Sequence, residues 1–214
     1  MKLAFADTYR WVADARSMTE VTAEDLLSDG YLRERAKLID PKRAGDPAHG
    51  TPPKGGTIYL SAADERGMMI SLIQSNYMGF GSGVVVPGTG VSLQNRGHGF
   101  TLDEKHPNVV APGKRPFHTI IPGFLTRDGQ PQMSFGVMGG NMQPQGHLQT
   151  LVRMLVHRQQ PQAACDAPRW KVGSGRAVDF ESTMAPALVD GLKALGHRFE
   201  PTPDAYMDLS LIHI

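Results

Sequence analysis

Strand patterns in the middle of the chain, flanked by helical patterns at both ends, predict a layered α+β domain. Three observations carry the prediction. Residues 57–64 and 68–75 read as a hairpin about Glu65-Arg66-Gly67. A second hairpin is signalled by Asp128-Gly129, a dipeptide suited to a tight two-residue turn. The clearest helical repeat follows Gly139-Gly140, where Leu148, Leu151, Val152, Leu155 and Val156 recur on one face. A chain of 214 residues can bury a substantial core as one domain.

The elements follow in order. Residues 2–14 bring Leu3, Phe5, Ala6, Tyr9 and Val12 to one side of a helix. Thr22 with Asp25 forms a capping-box pattern ahead of Leu26 and Leu27, and Asp29 is read as the cap of a further helix ending by Pro41. Residues 41–54 are loop, rich in Pro, Gly, Asp and His. Both strands of the first hairpin are apolar enough to predict a sheet covered on both faces. Val84-Val85-Val86 and Val91-Ser92-Leu93 are short strands around Pro87-Gly88-Thr89-Gly90, and residues 100–116 are mainly loop. The second hairpin is predicted over 119–126 and 132–137, with Pro144 in the first turn of the helix after it. A last helix after Ser182 places Met184, Leu188, Leu192 and Leu195 inward and stops at Gly196.

Composition narrows the function classes. The formal net charge is +1 and neither sign forms a long run, which argues against nucleic acid or a membrane surface as partner. No apolar run approaches the roughly 20 residues of a spanning helix. Met1-Lys2-Leu3 leads into a helix carrying Asp7 and Arg10 rather than into a secretory leader, and the compartment stays open between periplasm and cytoplasm. The single cysteine, Cys165, makes no internal disulfide and is read as a small helix residue. The eight histidines show no metal-ligand spacing, and no dinucleotide fingerprint, P-loop or serine elbow occurs, so no cofactor is expected.

One stretch carries chemistry. Gly55-Gly56 delivers Thr57 to the start of a strand, and a glycine-rich turn, Gly79-Phe80-Gly81-Ser82-Gly83, follows the partner strand. A hydroxyl next to an unhindered Gly carbonyl suits self-cleavage by attack of Thr57 Oγ on the Gly56 carbonyl. Scission would leave Thr57 as a chain end, with nucleophile and base on one residue. Its α-amine would titrate near 7.7–8.0 in a model peptide, close to where a general base works well. On spacing alone, a Thr after Gly-Gly is ordinarily a β-branched strand residue behind a flexible turn.

The wider pattern resembles the gamma-glutamyltransferase (gamma-glutamyltranspeptidase) family. Thr57, Asp64 and Gly67 match the start of its small subunit, and Pro87-Gly88-Thr89-Gly90, Gly113-Lys114-Arg115-Pro116, Gly139-Gly140 and Asp166-Ala167-Pro168-Arg169 follow in the family's order. The resemblance implies a four-layer αββα sandwich of the N-terminal nucleophile hydrolase type, with antiparallel sheets between helical layers. It implies residues 1–56 as the end of the large-subunit region with its linker, and 57–214 as the small-subunit catalytic region. The rest of the large subunit is expected to be missing from this chain.

By the same resemblance Thr57 is the nucleophile, Ser75 orients its hydroxyl, and Gly139 and Gly140 offer backbone N–H groups to the oxyanion. The acyl pocket departs from the family. Arg96 stands where the family has Gln or Glu, and Gly99 replaces the Asp that grips the substrate's ammonium. His118 and Thr119 replace a Ser-Ser pair, and Tyr77 takes the place of an Asn that neighbouring Asn76 can supply. The resemblance implies small-molecule gamma-glutamyl amides such as glutathione as donors, with water or an amine as acceptor. The altered pocket opens a glutaryl-type acylase as the alternative, and an inert, uncleaved member serving as a binding or structural unit is the reading from another class.

Overall fold

The computed structural model describes residues 1–45 and 56–199. Its first strands, β1 (Gly56–Ala63) and β2 (Met69–Tyr77), pair antiparallel as the sequence predicts. Asp64 organises their turn: its carboxylate accepts from the amides of Arg66 and Met68 at 3.0 and 2.9 Å, and Gly67 takes φ +81°. β3 (Gly123–Arg127) and β4 (Gln130–Phe135) form the second hairpin. Asp128 and Gly129 both have positive φ, the conformation that a tight turn between right-twisted strands requires. A third ribbon, β5 (Trp170–Val172) with β6 (Val178–Phe180), was not predicted, because three-residue strands are too short to show periodicity.

The helices bracket these ribbons. At the amino-terminal end lie α1 (Lys2–Trp11), α2 (Ala23–Leu27) and α3 (Asp29–Ala36). The Thr22–Asp25 capping box forms, whereas α3 is capped by Ser28, whose Oγ accepts from the Tyr31 amide, rather than by Asp29. α1 is shorter than predicted. Asp14 instead starts a 3-10 turn over Ala15–Ser17. At the carboxy-terminal end come α4 (Met142–Leu151), α5 (Pro161–Asp166), which contains Cys165, and α6 (Pro186–Ala194) with Gly196 behind it. The predicted loop before Thr57 falls largely outside the described residues.

Two further predictions differ from the structure. The strand foreseen from 119 begins only at Gly123: Pro122 has no amide to donate, and the Ile121 amide is taken by the Gln143 side chain at 2.9 Å. The apolar stripe on α4 is not its buried side. Leu148 is exposed, as are Leu155 and, at 67%, Val156 in the π-helical turn Val152–Val156 that continues α4, whereas Met142, Gln143, Gln145, His147 and Gln149 are buried. The polar face turns inward because its glutamines replace strand partners. Gln145 Oε1 accepts from the Val172 amide at 2.7 Å. Gln149 accepts from the Trp170 amide at 3.0 Å and returns a bond to the Trp170 carbonyl at 2.8 Å.

The core lies between α4 and β4, around Met133, Phe135, Val137 and Met142. The first hairpin docks on it through Tyr59, Ser71 and Gly136. The Tyr59 and Ser71 hydroxyls are 2.9 Å apart, and Ser71 donates to the Phe135 carbonyl at 3.3 Å. A Cβ on Gly136 would sit 2.2 Å from the Tyr59 ring, so only glycine lets the ring lie there. The hairpin's other face, with Ile58, Leu60, Ile70 and Leu72, is exposed, against the prediction of a sheet covered on both sides.

Candidate active site

Thr57 sits on an irregularity in the first hairpin. Gly56 pairs with Tyr77 and Ile58 with Gln74, so two residues of β2, Ser75 and Asn76, stand opposite the single Thr57. Such a bulge re-aims side chains. Here Thr57 Oγ1 donates to Ser75 Oγ at 3.2 Å. Ser75 Oγ also accepts from the Tyr77 amide at 2.8 Å. The two hydroxyls that the sequence singled out are in contact, held by the chain reversal at the end of β2.

Tyr77 has φ +76°, a left-handed conformation that costs a non-glycine residue roughly 1–2 kcal/mol. It turns the chain out of β2 and sets its ring under Arg96, whose guanidinium carbon lies 5.0 Å from the ring centroid. Asn95 fixes the second segment against the first: its amide donates to the Asn76 carbonyl at 3.1 Å, and its side chain accepts from the Met78 amide at 3.0 Å. Arg96 is only 8% exposed. Its Nε and Nη1 have no hydrogen-bond partner among the described residues, so it is not half of a solvated surface pair.

A cavity of about 730 Å³ opens here, with Tyr77, Arg96, Gly99, His118 and Thr119 in its wall. Thr119 is 7% exposed, and its hydroxyl has no partner among the described residues. His118 accepts from the Ile120 amide through Nδ1 at 3.2 Å, which leaves Nε2 to carry the proton of the neutral ring. Burial, followed by the charges of Arg96 and Arg115, lowers its pKa. Asn76 is not in the wall; its carbonyl serves the Asn95 bond instead.

Gly139 and Gly140 have φ of +101° and +56° and open α4, their carbonyls accepting from the amides of Met142 and Gln143. Among the described residues neither glycine amide donates a hydrogen bond. Neither these glycines nor Thr57 is part of the cavity wall; Asn141, next after the pair, and Tyr77, whose amide donates to Ser75, are.

Sequence reasoning missed several residues that build the cavity. Tyr9 reaches it from α1, with its hydroxyl and the Asn141 amide side chain bonded at 2.5 Å. Burial, then the Tyr77 ring, pushes the Tyr9 pKa up to about 12, so the phenol stays neutral. Asn108 donates to the Gly99 carbonyl at 2.6 Å and accepts from the Phe117 amide at 3.0 Å, clamping the Arg96 and Thr119 segments together. Lys114 holds the same loop through the Pro107 and Val109 carbonyls. Asp14 joins the amino-terminal region to it by accepting from the Arg115 amide at 3.1 Å. The Arg16 guanidinium, aided by that amide, holds the Asp14 carboxyl far below the usual carboxylate range. Only the Gly113-Lys114-Arg115-Pro116 motif signalled this in the sequence. Among the described residues, no group of three or more His, Cys, Asp or Glu side chains is placed to hold a metal. Nor is any helix there long and apolar enough to cross a membrane.

Antiparallel ribbons flanked by helices give an α+β fold, which the chain shares with the N-terminal nucleophile hydrolases among its structural neighbours. A crystal structure of cephalosporin acylase from Bacillus halodurans matches with TM-score 0.88 and 51% identity, over 96% of this chain and 38% of that one. The chain belongs to the gamma-glutamyltranspeptidase family, whose model matches residues 1–214. Oxamate amidohydrolase proenzyme of Klebsiella pneumoniae is 36% identical over 208 residues, covering 95% of this chain and 39% of that protein. Glutathione hydrolase-like YwrD proenzyme of Bacillus subtilis is 34% identical over 209 residues, with the same two coverages. The chain thus spans about two fifths of the length of the relatives it matches.

Proposed function

We propose that the chain carries the nucleophile-bearing part of a gamma-glutamyltransferase-like amidohydrolase. Scission of the Gly56–Thr57 peptide frees the Thr57 amine, with residues 57–214 as the small-subunit region and 1–56 as the end of the large one. Thr57 Oγ1 attacks the carbonyl carbon of the donor amide while the Thr57 amine takes its proton. Gly139 and Gly140 N–H groups receive the negative charge of the tetrahedral intermediate. The C–N bond then breaks, the leaving amine takes the proton, and an acyl-threonine ester remains. Water or an acceptor amine attacks that ester and restores the hydroxyl, giving hydrolysis or transfer.

The observation that carries this reading is the 3.2 Å bond from Thr57 to Ser75 on a bulge beside the cavity. Ser75 orients the nucleophile by accepting a hydrogen bond from its hydroxyl, and the Tyr77 amide holds Ser75. Similarity to proteins named as amide hydrolases and proenzymes supports both the reaction and the scission. The acyl donors are small amides, gamma-glutamyl amides of the glutathione type in the family's general pattern. The exposed Ile58–Leu72 face and the exposed stripe on α4 fit contact with a further large-subunit portion.

A second reading keeps the mechanism but changes the acyl group to a glutaryl type. It is favoured by Gly99 in place of an acid, and by similarity to a cephalosporin acylase. The test is turnover of gamma-glutamyl and glutaryl anilides by the protein and by Thr57→Ala. The unsubstituted protein should turn over at least one anilide, and Thr57→Ala neither. Activity retained in Thr57→Ala removes that residue from its role.

A further inference from the structure

We infer that Tyr9 is a positioning residue for the glycine pair, its hydroxyl fixing Gly139 and Gly140 through the side chain of Asn141. The inference rests on the reading that these two backbone N–H groups receive the oxyanion, and it adds what holds them in place.

The pair needs holding. With φ of +101° and +56°, Gly139 and Gly140 occupy conformations that glycine enters and leaves freely. Donors that stabilise an oxyanion do so because their direction is set before the charge develops. Upstream the chain is anchored by Val137, which is fully buried and packs on Gly146 of α4, where a Cβ would lie 2.7 Å from the Val137 side chain. Downstream the next residue is Asn141, at the cap position of α4. An Asn in that place ordinarily accepts from the amide of the second or third helical residue. Here it makes no such bond. Pro144, the third, has no amide, and the Gln143 amide is already given to the Gly140 carbonyl at 3.0 Å. The Asn141 side chain is thereby released from capping, and its Nδ2 donates to the Tyr9 hydroxyl at 2.5 Å instead.

Tyr9 is itself fixed on three sides. Its ring stacks on Phe5, with centroids 5.7 Å apart and planes at 14°, and meets Phe117 edge-on at 5.8 Å. Its carbonyl is bonded to His106 Nε2 at 2.9 Å. Burial, aided by Tyr77, keeps the phenol neutral with a pKa of about 12, so the hold on Asn141 does not change across the neutral range. The contact also spans the proposed scission. Tyr9 precedes Gly56 in the chain and Asn141 follows Thr57, so a hydroxyl on one piece would steady the oxyanion donors of the other.

The test is Tyr9→Phe in the full chain, a change that removes the hydroxyl and keeps the ring between Phe5 and Phe117. Turnover of whichever anilide the protein accepts should lose about tenfold in kcat with KM held within about twofold. That is less than the roughly 10²–10³ that follows outright loss of an oxyanion donor. The factor should be the same at pH 7 and pH 9, because the phenol does not titrate between them. Asn141→Ala reaches the contact from the other side, and the double variant should be no slower than Asn141→Ala alone. In proton–nitrogen amide spectra of folded Tyr9→Phe, the Gly139 and Gly140 signals should move while those of Gly67 and Gly129, in the hairpin turns, stay. Unchanged kcat, a loss confined to KM, a factor that differs between the two pH values, or additive single losses overturns the inference. So do unmoved Gly139 and Gly140 amides. No anilide turnover by the unsubstituted protein sinks the catalytic reading, while glycine amides that move in Tyr9→Phe still uphold the hold of Tyr9 on the pair.

Discussion

His147 shows how one buried side chain couples this fold to pH. It packs edge-on against Phe135, ring centroids 4.9 Å apart, and its Nε2 has no partner among the described residues. Burial lowers its pKa to about 4. Between an unfolded value near 6.5 and the folded one, the unfolded chain binds a proton that the folded chain does not. The stabilisation is therefore complete above pH 6.5 and is lost as pH falls towards 4. Between pH 7 and 5 the loss at this site should be about 2 kcal/mol, from roughly 1.4 kcal/mol per pH unit. Urea unfolding of His147→Gln at both pH values should show a correspondingly smaller drop; the same drop as in the parent protein would contradict the assignment. Legibility at this scale was uneven. Thr57 was readable from the Gly-Gly-Thr start of a strand together with the family pattern, and Ser75, Tyr77 and Arg96 from the family pattern alone. Tyr9 and Asn108 were not, because their contacts with Asn141, Gly99 and Phe117 depend on how distant segments meet.

Helix α4 carries the main lesson among the elements. Its leucine and valine spacing predicted the buried face, yet the face of Gln143, Gln145 and Gln149 is the one within the protein. Periodicity counts apolar residues and cannot see that a glutamine side chain can complete a strand's hydrogen bonding. Each side-chain carbonyl accepts from a backbone amide of a neighbouring segment, Ile121 for Gln143, Val172 for Gln145 and Trp170 for Gln149, although Gln143 Nε2 has no partner among the described residues. Gln149→Leu removes both bonds to Trp170 and leaves its amide and carbonyl unpaired, which should cost about 1–3 kcal/mol. Thermal unfolding measures this, and an unchanged melting temperature would mean that β5 finds other partners. The turns were the best-read local features. Asp64 with Gly67 and Asp128 with Gly129 set each hairpin by chemistry confined to a few residues. The β5–β6 ribbon offered no comparable signal.

For the molecule as a whole, the α+β class followed from the order of strand and helix patterns. The four-layer form, with two sheets between helical layers, followed only from the family pattern. The described residues leave a hairpin face of Ile58, Leu60, Ile70 and Leu72 uncovered, which the apolar strands had predicted to be buried. The relatives are more than twice as long, and under the proposed function a further large-subunit portion would have that face to cover. What the chain itself assembles is a hairpin bearing Thr57, a glycine pair at the head of α4, and a cavity lined in part by Tyr9 of α1, Tyr77 and Asn141. The central event of the proposed function is the scission that would turn Thr57 into a chain end. Intact mass of the purified protein, before and after incubation at neutral pH, tests this most directly. Two species whose masses sum to the parent plus one water, the second beginning at Thr57, are the expected result; a chain still unbroken at Gly56–Thr57 would contradict it.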